Sequence, residues 1–315
     1  MSLKEDLASA GIELVQERLG EGGSAWVHRA RIGEAPRFGL AAGTDLAVKE
    51  YKPELLAQQG QLERVQQEAL LGGRVRHRNV VGVHALLPDE LAPRFLVMEW
   101  IDGAPLAKWN ETDGASADWP ALKAIADGIL EGLGELHRNG VHHRDIKPEN
   151  VMLRSDGTPV VMDVGVAEIV DGHDHTLHTT MGTFLGSVRY ASPQYLLDSR
   201  YELADDIYGA GATLFELFTG QRMFEGIERK PHLAAIVIGE GVRVDKLRAG
   251  VPSQVAVLLR QMLHRTREAR PNLEEVRAAL NDPTGSDYLK LAAEEQAAHE
   301  QGFRVIEVRE NGNSL

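Results

Sequence analysis

Hydrophobic and polar residues alternate with a period of two in three stretches near the start of the chain: IELVQERL from position 12, AWVHRARI from 25 and DLAVKEY from 45. Successive side chains of a strand point to opposite faces, so this pattern predicts three β-strands. A glycine-rich turn joins the first two, and a connection rich in Gly, Pro and Ala leads to the third. A helical stretch is expected around 55–71, followed by β-like patches at 80–87 and 94–100. After Asp102-Gly103 the period lengthens. Leu122, Ile125, Ile129, Leu133 and Leu136 recur at helical spacing, and from Tyr201 onward ADDIYGAGATLFELFTG and VAVLLRQMLH read as buried or half-buried helices. The pattern predicts a small β-rich lobe with one main helix that passes, near Gly103, into a larger helical lobe.

The 315 residues suffice for two lobes and a large core, and 43% hydrophobic with 26% charged residues is ordinary for a soluble globular protein. The absence of cysteine excludes disulfides, a catalytic thiol and thiolate-bound metals, and makes a cytoplasmic location the simplest expectation. The N-terminal MSLKEDLASAGIEL lacks the apolar core of a signal peptide, and no apolar run approaches the roughly 18–20 residues of a membrane span, so no membrane partner is expected. A net charge of −13 argues against general binding to nucleic acid. It leaves open a nucleotide bound through magnesium and focused backbone donors. Residues 282–315 hold seven acidic and three basic residues, a net of −4, and form an acidic extension that is either a solvated appendage or a segment for a partner.

The candidate chemistry starts in HRDIKPEN, residues 143–150. Asp145 can take or orient the proton of an attacking hydroxyl, Lys147 can neutralise charge on a transferred group, and Asn150 can hold a metal ion; Pro148 stiffens the loop between them. In LGEGGSAWV, from Leu19, the glycines at 20, 22 and 23 could let backbone N–H groups cradle phosphate, although a flexible hairpin would look the same. Lys49 lies in an apolar strand, where an ammonium is costly unless paired, and Glu68 on the following helix is a candidate partner. PVVMDVGVAEI, from Pro159, ends a strand at Asp163, which with Asn150 would offer two hard oxygen donors for magnesium.

In this order, over about residues 12–281, these motifs resemble those of the eukaryotic-type Ser/Thr protein kinases, most of all the bacterial members. The resemblance implies an α+β, two-lobed kinase fold with an N-lobe at 12–102 and a C-lobe at 103–281. It implies transfer of the γ-phosphoryl group of ATP to a Ser or Thr hydroxyl of a protein, with Mg2+, or Mn2+ in its place. Gly20, Gly22 and Gly23 would cover the phosphates, and Lys49, paired to Glu68, would bind the α and β phosphates. Asp145 would be the catalytic base, Lys147 would stabilise the γ-phosphoryl group, and Asn150 and Asp163 would hold the metal. Met98 matches the back of the adenine pocket, the Glu99 and Ile101 backbones match the hinge, and Val27, Ala47 and Met152 match the positions that sandwich the ring. GSVRYASPQ, from Gly186, resembles the stretch that receives the substrate. Asp206 would brace the catalytic loop and Arg270 would clamp the end of the activation segment. Arg144 would pair with a phosphate on that segment, whose Thr179, Thr180 and Thr183 are the expected autophosphorylation sites.

Four positions depart from the family pattern. Ala25 stands for the third glycine of the phosphate loop, Val164 for a Phe or Leu after the metal-binding Asp, and Gly72 for a large apolar residue on the Glu68 helix. Val164 and Gly72 are expected to thin the contacts that hold that helix inward, leaving a labile Lys49–Glu68 pair. Gln194 replaces the acid that pairs with Arg270, which should cost the clamp ~1 kcal/mol or more. None of the four removes a group that performs chemistry, so an active kinase is expected ahead of a pseudokinase or nucleotide-regulated scaffold. His173, His175 and His178 match no standard ligand spacing and read as a polar loop.

Overall fold

The structure, a computed structural model, describes residues 3–21, 25–88, 93–164, 188–198, 200–223, 244 and 246–282. Gly22, Gly23, the three activation-segment threonines, His173, His175, His178 and all of the acidic extension after Asp282 lie outside the described residues. The chain divides into two compact units, one of Met1–Trp109 with Gly128–Thr183 and one of Asn110–Asp127 with Phe184–Leu315. The HRDIKPEN loop therefore belongs to the same unit as the N-lobe sheet.

That sheet is antiparallel, with strand order β1-β2-β3-β5-β4, where β1 is Ile12–Glu21, β2 Ala25–Ile32, β3 Asp45–Tyr51, β4 Val83–Leu87 and β5 Phe95–Glu99. The three alternating stretches are β1 to β3. Val27 pairs with Lys49, Lys49 with Leu96 and Ala47 with Met98. Cross-strand partners share a face, so Val27, Ala47, Lys49, Tyr51, Leu96 and Met98 lie together on one side. Ala30, Ile32, Leu46, Val48, Phe95 and Val97 lie on the other and form the lobe's hydrophobic core, each at most 1% exposed.

The second face is closed by an element that the period of the sequence does not announce, the helix α1 (Leu3–Ser9), whose Leu7 is fully buried in that core. Seven residues are too few for a stable isolated helix. Burial of Leu7, which contributes about 1.5–3 kcal/mol, and a polar tether hold it instead. Arg94 donates to Asp6 of α1 and, at 2.7 Å, to Glu50 Oε1; Glu50 Oε2 accepts from His28 Nε2 at 3.1 Å; His28 Nδ1 accepts the Arg18 N–H at 3.1 Å.

The helix expected over 55–71 is two pieces, α2 (Pro53–Leu56) and α3 (Gln61–Arg74), separated at Gly60 with φ +78°. Past the sheet come α4 (Leu106–Glu111) and α5 (Trp119–Arg138), with all five of the periodic apolar residues of α5 buried. A second sheet has the order β6-β7-β8, with β6 Gly103–Pro105, β7 Val151–Arg154 and β8 Pro159–Val161. Gly103, where the sequence changes character, is a contact point: a Cβ there would sit 1.8 Å from the Leu153 carbonyl oxygen, so β6 approaches β7 only because this residue has no side chain.

The second unit is built on α6 (Pro193–Asp198), α7 (Leu203–Thr219), α8 (Val255–Met262) and α9 (Leu273–Asn281). Every residue of α7 from Asp205 to Phe218 is buried, as befits a helix apolar nearly all round, and a capping box between Glu202 and Asp205 starts it. The chain has the α+β arrangement of a β-sheet N-lobe and a helical C-lobe.

Candidate active site

Lys49 stands on the central strand β3, nearly buried, where only opposite charge makes an ammonium tolerable. Its Nζ donates to Glu68 Oε1 on α3 at 2.7 Å and to Asp163 Oδ1 at 2.9 Å. Burial works against the Lys49 charge, but the Asp163 and Glu68 carboxylates outweigh it and hold its pKa well above the ordinary lysine value. The Lys49 ammonium in turn keeps the Asp163 carboxyl below the usual range despite burial. Glu68 is pushed up, first by burial and then by the Asp163 charge, with Lys49 opposing. The other Glu68 oxygen, Oε2, accepts from the Tyr51 hydroxyl at 3.1 Å, a partner that no motif in the sequence announces.

At Gly72 the space beside the missing side chain is not empty. A Cβ on Gly72 would lie 2.5 Å from Val83 Cγ2, so the volume a larger side chain would fill is taken by Val83 of β4. Val164 is buried at 2% exposure.

The loop from His143 to Asn150 is fixed from below by His143, which is fully buried. Its Nδ1 accepts the Asp145 N–H at 3.3 Å, so Nε2 carries the proton and donates to the Met162 carbonyl at 2.8 Å, tying the loop to the residue before Asp163. Arg144 and Asp163 have φ of +66° and +51°, left-handed values that cost a non-glycine residue of the order of 1–3 kcal/mol and persist where surrounding bonds impose them. Lys147 Nζ donates to Asp145 Oδ2 at 2.5 Å; Asn150 Nδ2 donates to the Asp145 carbonyl at 2.8 Å and to Oδ2 at 2.9 Å. The Pro148–Asn150 turn brings the amide back onto the aspartate.

Met98 is buried on β5 opposite Ala47, and Ile101 is buried just beyond the strand. The Glu99 N–H donates to the Gly82 carbonyl at 2.7 Å, while its side chain takes Arg154 at 2.6 Å. Val27 and Met152 are half-buried, and Gly20 on β1 is in register with Val27.

In the second unit Asp206 is fully buried and accepts from the Tyr201 hydroxyl at 2.7 Å. Arg270 does reach Gln194, donating to Oε1, but its charged partner is Asp205, whose Oδ1 lies 3.1 Å from Nη1. Asp205 also takes Arg267, at 2.8 and 3.1 Å, and the Ser192 hydroxyl at 2.6 Å. The charge assistance that Gln194 cannot give thus comes from Asp205. The doubled acid of ADDIYGAG is its only trace in the sequence, where Asp206 draws the attention.

Residues 14–281 match the family model described as a protein kinase domain. The chain belongs to the protein kinase family. Among curated proteins the kinase is 36% identical over 165 residues to the "Probable serine/threonine-protein kinase PknB" of Lactococcus lactis, covering 52% of this chain and 26% of that protein. It is 31% identical over 292 residues to serine/threonine-protein kinase PksC of Streptomyces coelicolor, covering 90% and 50%, and 31% identical over 211 residues to serine/threonine-protein kinase PknB of Mycobacterium leprae, covering 66% and 32%. The kinase thus resembles bacterial members of the family and spans half or less of the length of these relatives. Among the described residues no helix is long and apolar enough to cross a membrane.

Proposed function

We propose that this kinase transfers the γ-phosphoryl group of ATP to a Ser or Thr hydroxyl of a protein, using a catalytic domain at 12–281 with lobes that divide at Gly103 and an acidic extension at 282–315. The observation that carries the reading is that two charged clusters, Lys49–Glu68–Asp163 and Asp145–Lys147–Asn150, are each made and are joined through the His143–Met162 bond.

The residues fit the groups this reaction needs. Val27, Ala47 and Met98 give the sheet an apolar patch suited to a flat ring, with Met152 and the Glu99 and Ile101 backbones completing the adenine site. Asp163, held ionised by Lys49, and the Asn150 amide oxygen, whose nitrogen is committed to Asp145, are the hard donors that magnesium takes. When bound, the ion would neutralise charge on the phosphates. Gly20, Gly22 and Gly23 offer backbone N–H groups to those phosphates, and Lys49 adds a fixed positive charge. Asp145 receives both side-chain donors on Oδ2, which leaves Oδ1 to orient and accept the proton of the incoming hydroxyl, while Lys147 stabilises the transferring group. Asp206 and Arg270 support the second unit, and Arg144 serves as the cation for a phosphate on Thr179, Thr180 or Thr183. The cysteine-free sequence suits a reducing cytoplasm, and its acidity suits protein acceptors over nucleic acid.

Intact-mass analysis before and after incubation with Mg-ATP tests this reading. The wild type should gain whole phosphates on activation-segment threonines, and Asp145→Asn should gain none while still binding ATP. A wild type that transfers phosphate neither to itself nor to a generic protein acceptor overturns it.

A further inference from the structure

Glu68 is reached by two donors from a single strand. Lys49 and Tyr51 are two apart on β3 and so share a face. The Lys49 ammonium bonds Oε1 at 2.7 Å and the Tyr51 hydroxyl bonds Oε2 at 3.1 Å. The two donors differ in what else they serve. Lys49 already holds Asp163 at 2.9 Å, and in the proposed reaction it would also turn toward phosphate oxygens, so its hold on Glu68 is shared. Tyr51 is a different case. It is 2% exposed, its ring lies 5.6 Å from the Lys49 ammonium, and burial with the Glu68 charge pushes its pKa well above 10.0, so it remains a neutral hydroxyl that can only hold the carboxylate by donating.

We propose that Tyr51 is a positioning residue that fastens Glu68, and with it α3, against β3 whether or not Lys49 is engaged with nucleotide. The proposal rests on the kinase reading and deepens it: beside the Lys49 contact, a hydrogen bond from Tyr51 to the glutamate itself secures the helix. Hydrogen bonds to charged groups are the stronger class, so removing this one has an effect large enough to read in kinetics.

Tyr51→Phe removes only the hydroxyl. It should lower kcat about tenfold or more, with the KM for ATP changing by less than about threefold, and should speed amide hydrogen exchange in α3 selectively. The pH profile gives a readout that a merely structural role would not move. Burial raises the Glu68 titration most, Lys49 and Tyr51 lower it by bonding the ionised form, and the Asp163 charge raises it. Without the Tyr51 bond, Glu68 protonates at higher pH, so the acidic limb of kcat should shift upward. Unchanged α3 exchange together with an unmoved acidic limb overturns the proposal, whatever happens to kcat. If the wild type transfers no phosphate, the kinase reading falls, and α3 exchange in Tyr51→Phe still decides the role of Tyr51: faster exchange supports it and unchanged exchange overturns it.

Discussion

The two faces of the N-lobe sheet are made from alternate residues of the same strands and differ in what they hold. On the face under α1, Ala30, Ile32, Leu46, Val48, Phe95 and Val97 are sealed, and the polar cluster His28–Glu50–Arg94–Asp6 is bonded end to end. On the opposite face, Val27 is half-open and Lys49 depends on carboxylates from α3 and from just past the end of β8. One face supplies stability and the other spends it to hold charge in readiness. β3 can do both because it is central, and Val48 and Lys49, neighbours in sequence, face opposite worlds.

The largest test of this division is on the sealed face. Phe95→Ala should cost about 3–5 kcal/mol of stability, read by chemical denaturation, and should lower activity only in proportion to the unfolded fraction. Next, on the opposite face, Lys49→Met should cut kcat by on the order of 10²–10³-fold if Lys49 serves phosphate as proposed, while costing less stability than Phe95→Ala. The division breaks if those two rankings reverse. The smallest effect concerns Asp163. Its folded pKa is depressed below the ordinary 3.8, so its contribution is complete above that value and is lost as pH falls through the lower folded value. Asp163→Asn should therefore flatten the acid limb of the stability profile below about pH 4, measured by denaturation across pH. An unchanged acid limb would mean that the Lys49 contact does not stabilise the fold.

What the sequence disclosed follows the same division. β1 to β3 were legible because apolar and polar residues alternate along them, and HRDIKPEN stood out because Asp145, Lys147 and Asn150 fall within six residues. Residues whose meaning depends on a distant partner were not. Gly72 looked like a gap because Val83, eleven positions on, is what fills the space, and Gln194 looked like a missing charge because Asp205 supplies it from another helix. Tyr51 carries no motif; only the bond to Glu68 distinguishes it from any strand tyrosine. The break between α2 and α3 at Gly60 was blurred because apolar residues continue on both sides of it.

Helix α1 lies ahead of residue 14, where the family match begins, yet Leu7 and Ile12 are interior parts of the lobe. A polypeptide trimmed to the matched segment would keep both charged clusters and still lose part of its core. It would show solvent the greasy underside of its sheet, leave Arg94 without Asp6, and be inclined to stick to its own kind. The match stops short of the core: the first dozen residues lie outside it and yet complete the interior of the lobe.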